Sequence, residues 1–213
     1  MIAGVLLVLF AAAPPAAEAA RAPVAVMPFK NLGGDAGLDW MSGGIADTMV
    51  SDLRRSKVAV VERDQIARAL GEILAQTAAG AELSTATRVG KLVGARTVVV
   101  GGYQQAGAQL RINARFVDVE TGVVREAAKA TGAASDPFAV QDQVVDQLLG
   151  RKPAARPARK TTPKTPEAYK LFAQASTVAT DADRGPLLKK AIELDPGFVY
   201  ASDALAALER RLE

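Results

Sequence analysis

The sequence contains no cysteine and no histidine in 213 residues. Without cysteine there are no disulfides, no thiolate metal sites, no thiol nucleophile and no cysteine to carry a lipid. Without histidine there is no imidazole metal ligand and no general base of the usual kind. The remaining residue types form no nucleophile–base constellation, so the expectation is a protein that is not an enzyme and binds no cofactor and no metal. Charge of one sign is also scarce: 26 basic and 23 acidic residues leave a net +3. Hydrophobic residues make up 49% of the chain, enough to fill a core, and 23% are charged, as is ordinary for a globular protein.

At the N-terminus, Ile2 to Ala13 is an apolar run, followed by Ala17-Glu18-Ala19. The run has the length of a signal-peptide core and is too short to span a bilayer, and the A-x-A triplet fits a cleavage site. Residues 1–19 are therefore expected to be a signal peptide, which places the mature chain outside the cytoplasm. "APVAVMPF" (Ala22 to Phe29) is β-branched and apolar and reads as a buried strand. Leu38, Met41, Ile45, Met49 and Leu53 recur at helical spacing up to Ser56. "VAVVER" (Val58 to Arg63) reads as a second strand. Asp64 can cap the next helix, whose inner face would be Ile66, Leu70, Ile73 and Leu74. A further helix has Ser84 or Thr85 as its cap, Val89, Leu92 and Val93 inside, and Gly94 as its stop. Three closely spaced strands follow, then a helix opened by Asp136-Pro137.

The order β-α-β-α-α-β-β-β-α predicts an α/β (α+β) domain over residues 22–150, a mixed sheet with helices packed against it. Residues 151–164, "RKPAARPARKTTPK", hold six basic residues, three prolines and no acid, the composition of an extended linker. Residues 165–213 read as three helices forming a small all-α helical-repeat module. Thr165 caps the first of them, and Pro196 ends the second.

"LRINARFVDVETG" (Leu110 to Gly122) alternates over about the length of a strand that crosses an outer membrane. With Glu120-Thr121-Gly122 as a three-residue hairpin loop and Gly in the left-handed position, Val119 faces Val123. One face then carries Val117/Arg125, Arg115/Ala127, Asn113/Lys129 and Arg111/Thr131, which is cationic and suits water. The other carries Phe116/Glu126, Ala114/Ala128, Ile112/Ala130 and Leu110/Gly132, apolar but built from small residues. It lacks the tall apolar band and aromatic girdles of a lipid-facing pair, so it is expected to be a surface on which helices pack. The adjacent apolars Phe116 and Val117 break the alternation, as at a strand end or bulge.

"VAVMPFKNLGGDAGLDWMSGGIADTMVSDL", "VAVVERDQIARALGEI", "STATRVGKLVGARTVVVGGYQ" and "LRINARFVDVETGVV" together resemble the CsgG family. That family includes the periplasmic domain of the curli secretion channel and is close in pattern to FlgO-like flagellar outer-membrane proteins and TolB N-terminal-like domains. The resemblance spans Ala22 to Leu149. It implies a non-enzymatic bacterial envelope protein whose α/β domain, in channel members, assembles into a ring. Channel members also have a lipidated cysteine and long amphipathic hairpins, whereas this chain has no cysteine and short connections between strands. "LLKKAIELDPGFVYASDALAAL" resembles a tetratricopeptide repeat, with Leu188, Ala191 and Pro196 at repeat positions. Arg184 and Phe172 fall where small residues are usual, so the upstream helix is degenerate or offset by a longer loop.

The candidate protein-interface residues are Trp40, Glu62, Arg63, Tyr169, Phe172 and Tyr200. For each there is a simpler structural role: Trp40 as staple or core, Glu62 and Arg63 as a local ion pair, the tail aromatics as core. "NLGGDAGLDWMSGGIAD" lies between a strand and a helix, as a phosphate-binding loop does, but lacks both G-x-G-x-x-G and a G-K-[ST] ending. It is expected to be a long turn. The resulting expectation is a periplasmic, outer-membrane-associated assembly factor or protein-binding adaptor. Its partners would be envelope proteins, further copies of itself, and anionic lipid or envelope polymer met by the basic linker, with no nucleic acid. The alternatives are a subunit of an oligomeric secretion channel, a small-molecule or nucleotide-binding domain, and a cytosolic nucleic-acid binder with a basic tail.

Overall fold

The computed structural model describes residues 22–76, 82–151, 163, 165–178 and 180–212. The N-terminal apolar run, its cleavage site and most of the basic linker lie outside the described residues. The architecture is α/β, as expected. One sheet is formed by β1 (Val24–Val26), β2 (Lys30–Asn31), β3 (Thr97–Ala106), β4 (Gln109–Asp118) and β5 (Val124–Ala133). β1 and β2 run parallel to β3, and β3, β4 and β5 form an antiparallel meander. The helices are α1 (Met41–Arg55), α2 (Arg63–Gln76), α3 (Glu82–Leu92), α4 (Pro137–Leu148), α5 (Pro166–Ala175), α6 (Asp181–Leu194) and α7 (Val199–Leu212).

The sheet carries a core on each face, because strand side chains alternate between faces. On one face, Val99, Tyr103, Leu110, Ile112 and Ala130 pack beneath α1 and α4, which supply Ile45, Met49, Leu53, Val140 and Val144. On the other, Ala25, Val98, Val100 and Val117 pack beneath α2 and α3, which supply Ile66, Ile73 and Val89. The second core covers β1, the start of β3 and the end of β4. Over the rest of that face there is no helix among the described residues.

Local signals explain most element ends. Asp136 accepts from the Ala139 N–H at 3.1 Å and Thr165 from that of Ala168 at 3.3 Å, so α4 and α5 both start with a capping side chain and a proline at the first turn. Gly94, at φ 68°, stops α3, and α6 ends just before Pro196.

Several expectations are corrected. Ala22 to Phe29 is not one strand: it contains only β1, and the chain re-enters the sheet at β2. Val58 to Arg63 is reduced to a single bridge, Val24 to Val60. Between the turn at Lys57, at φ 62°, and the start of α2 at Arg63, the pairing is limited to the bonds of Val24 with the Ala59 carbonyl and the Val61 N–H. Asp64, Ser84 and Thr85 lie inside their helices, so none is an N-cap. On α2 the inner positions are Ile66, Ala69 and Ile73, whereas Leu74 is 53% exposed; the helix turned slightly further than the apolar pattern suggested.

The β4–β5 hairpin keeps the predicted register from Leu110↔Gly132 through Phe116↔Glu126. A bulge between Phe116 and Val117 then shifts the pairing to Val117↔Val124, so Val119 does not face Val123. Val119 instead donates to the Arg96 carbonyl at 2.9 Å, and Val117 is buried against α3 rather than turned to water. Gly122 occupies the left-handed region at φ 71°, as the loop requires. Leu110, Ile112 and Ala114 have no exposed surface, because α1 and α4 cover them. The apolar face of the hairpin is therefore a wall of the core.

Candidate interaction surface

The C-terminal helices are docked on the sheet domain, and the predicted interface residues converge on that seam. Six of the chain's ten aromatic side chains (one Trp, three Tyr and six Phe in all) meet there. Trp40 and Phe138 come from the sheet domain; Tyr169, Phe172, Phe198 and Tyr200 come from the tail. The Trp40 ring meets Tyr169 edge-on at 5.3 Å, and Phe138 lies 4.6 Å from Tyr169 and 5.7 Å from Tyr200. Such pairs contribute about 0.5–1.5 kcal/mol each beyond the area they bury. Tyr169, Phe172 and Tyr200 are buried, so in this arrangement they bind the chain's own other half rather than an outside partner. Trp40 is half-buried.

Polar groups cross the same seam. The buried Thr48 hydroxyl donates to the side-chain carbonyl of Gln141, whose amide donates to the Tyr169 hydroxyl at 3.2 Å. Burial pushes the Tyr169 phenol well above its ordinary pKa, so it stays neutral. The Tyr200 hydroxyl donates to Asp52 at 3.0 Å, and the Arg55 guanidinium lies 4.8 Å over the Tyr200 ring while pairing with Asp203 at 2.7 Å. Asp47 on α1 binds both sides: it accepts from Arg63 at 2.7 Å and from Ser176 at the end of α5. Arg63 also donates to the Val26 carbonyl at 3.0 Å, joining α2 to β1. Arg211 on α7 pairs with Asp64 at 3.4 Å and Asp181 at 2.9 Å. Glu62 pairs with Arg54.

Close approach of α1 and α5 depends on two glycines. A Cβ at Gly44 would lie 2.7 Å from the Ala173 Cβ, and one at Gly43 would lie 2.8 Å from the Ser176 Cβ. These glycines belong to the stretch read from sequence as part of a long turn. Their position between Met41 and Ile45, on a helical period, was the available signal of a helix–helix contact. Asp47, Thr48 and Gln141 carried no such signal, since nothing in sequence distinguishes them from solvent-facing polar residues of an amphipathic helix.

Two clefts open along the seam. One, of about 220 Å³, lies among Leu38, Trp40, Pro137, Phe138, Pro166 and Tyr169. The other, of about 80 Å³, is ionic and includes Asp47, Arg54, Glu62, Arg63, Arg184 and Arg211. So Trp40 and Tyr169 line the first cleft, Glu62, Arg63 and Phe172 line the second, and Tyr200 sits in the core between the two halves.

The glycine-rich turn after β2 is closed by its own side chains. Asn31 accepts from the Gly33 N–H at 3.2 Å and donates to Asp39 at 2.7 Å, and Asp35 accepts from the Gly37 N–H at 2.8 Å. Two carboxylates thus stand where a phosphate would need bare amides. No group of three or more acidic residues is placed to hold a metal among the described residues. No helix among them is long and apolar enough to cross a membrane.

Residues 7–135, more than half of the chain, match the family described as "FlgO protein". The chain belongs to the FlgO family. This FlgO-family chain is also 27% identical over 211 residues to a protein of Rhizobium meliloti named "Putative adenylate cyclase 3". The match takes in 93% of the chain but 34% of the relative, so the chain spans about a third of that protein. Among solved structures, the LpoB C-terminal domain from Escherichia coli is similar, with a TM-score of 0.44 and 18% identity over 54% of this chain and 84% of that one. A PelC dodecamer from Paraburkholderia phytofirmans gives a TM-score of 0.41 and 17% identity over 60% of this chain and 86% of that one.

Proposed function

We propose that this FlgO-family chain is a non-enzymatic protein of the bacterial envelope, exported to the periplasm and associated with the outer membrane. It acts in assembly or as a protein-binding adaptor. The observation that carries this reading is the seam: aromatic contacts and ion pairs fasten the helical tail to the sheet domain, so the two halves offer partners one composite surface. FlgO membership supports the envelope location. The first domain is a CsgG- and TolB-N-like unit. The tail is a degenerate tetratricopeptide unit, a reading supported by Leu188 and Ala191 being buried at repeat positions ahead of Pro196. The basic segment from Arg151 to Lys164 meets anionic lipid or envelope polymer. Neither nucleic acid nor a cofactor is part of this reading.

A second reading rests on the Rhizobium meliloti relative. Its similarity runs through the sheet domain and the tail together, so this pair of units also fits as the accessory module of a longer signalling protein. Molar mass by light scattering on residues 20–213, with and without lipid vesicles, tests the first reading. A monomer or dimer that remains in solution supports the adaptor. A closed multimer that stays with the vesicles supports a channel subunit instead.

A further inference from the structure

The sheet ends in a long free edge. β5 lies outermost in the order β1-β3-β4-β5 and runs for ten residues, where strands are typically about five or six. Only alternate backbone groups of an edge strand can bond inward; the others point away from the sheet. The Lys129 N–H identifies which, because it leaves the ladder and donates to Gln147 of α4 at 3.1 Å. The odd-numbered residues of β5 therefore turn their N–H and C=O groups outward. By the same alternation the amides of Ala127 and Thr131 face away from β4.

The side chains of these odd-numbered residues lie on the part of the sheet that no helix among the described residues covers. In register across it stand Arg115 beside Ala127, Asn113 beside Lys129, and Arg111 beside Thr131, with Lys30 on the far side of Gly102. Arg111, Arg115, Lys129 and Lys30 are exposed, and no strand residue on this open face is acidic. Beyond the exposed Glu126, the even-numbered side chains of β5 face α4 and are small: Ala128 and Ala130 are buried, and Gly132 lies against Val140.

We propose that β5 is a docking edge for an extended segment of a protein partner. That segment would have acidic residues at alternate positions, over the cationic face, and small apolar residues between them, beside α4. It would add a sixth strand by bonding to the outward groups of Ala127, Lys129 and Thr131, displacing the exposed Gln147 side chain. Charge disfavours a second copy in two of the registers open to it. Antiparallel pairing of β5 with itself about Ala127 sets Arg125 opposite Lys129, and pairing about Lys129 sets that residue opposite its own copy. This proposal rests on the adaptor reading only for the partner being a protein, and it concerns a surface other than the seam.

The probe is a fluorescein-labelled nine-residue peptide alternating glutamate and valine, titrated against the full chain by fluorescence anisotropy. Lysine–valine and scrambled glutamate–valine peptides serve as controls. Saturable binding of the alternating glutamate peptide alone, with slowed amide exchange at Ala127 and Thr131, is the expected result. Lys129→Glu should weaken binding about 3–10-fold through lost and reversed charge. Ala127→Pro removes one outward N–H without altering charge and should weaken it about 3–10-fold. Arg111→Gln, on the surface of β4, gives a charge test that does not touch the edge backbone. Equal binding of the scrambled peptide, or unchanged exchange at both amides, would overturn strand addition. Dimerisation through β5 would overturn the choice of partner. Loss of the peptide alongside continued partner capture by the tail would end this proposal and leave the adaptor intact.

Discussion

Replacing Gly44 with alanine tests whether the seam is built on close helix approach. The new Cβ would lie 2.7 Å from the Ala173 Cβ and 3.2 Å from the Tyr169 hydroxyl, and the α1 backbone cannot yield without disturbing Ile45 and Met49 beneath it. Overpacking of this kind costs about 1–3 kcal/mol. Against it stands the helix propensity of alanine over glycine, worth about 1 kcal/mol in the other direction. The expected net is a loss of about 1 kcal/mol, felt first as release of the tail. Ala173→Gly removes the nearest opposing atom and should by itself cost about 1 kcal/mol through propensity. The double variant should then be more stable than the sum of the two single effects predicts, with a coupling of about 1 kcal/mol. Urea denaturation of the four proteins measures the cycle, and amide exchange in α5 reports the seam directly. A Gly44→Ala protein stabilised by about 1 kcal/mol, with no coupling to position 173, would refute the reasoning.

Three further predictions follow from single groups. The Asp118 carboxylate accepts from the Thr121 N–H at 2.9 Å and hydroxyl at 2.9 Å and pairs with Arg125, which holds its pKa down at about 2 from an ordinary 3.8. Its folded value is depressed, so its stabilisation is complete above the unfolded pKa and is lost as pH falls from about 5 through 2. Asp118→Asn should flatten that part of the acid titration of stability, followed by thermal melting against pH. Tyr169→Phe leaves the buried Gln141 amide without its acceptor and should cost about 1–2 kcal/mol in urea denaturation. Gly122→Ala forces a Cβ into the left-handed region at φ 71° and should cost about 1 kcal/mol, with no change in spectroscopic secondary structure.

Much of the fold was legible because it depends on local chemistry. The cap at Asp136, the stop at Gly94, the left-handed Gly122 and the alternation from Leu110 to Phe116 each act within a few residues, and each stands in the structure as read. The lost strand at Val58 to Arg63 shows the limit. Its β-branched residues suit a ladder, but between the turn at Lys57 and the start of α2 only one bridge, Val24 to Val60, forms. The candidate site divides in the same way. Trp40, Tyr169, Phe172 and Tyr200 were each visible as candidates; that the tail aromatics meet Trp40 and Phe138, more than thirty residues away along the chain, was not.

By itself the sequence determined the α/β class, the three-helix tail, and the exclusion of thiol and imidazole chemistry, because composition and periodicity act without knowledge of distant contacts. Tertiary structure alone decided where the tail sits, which helix Gly43 and Gly44 meet, and that part of one face of β4 and β5 has no helix over it among the described residues. The reason is that burial, helix approach and an uncovered sheet face are properties of pairs of elements, and no single stretch of chain encodes the space between two of them.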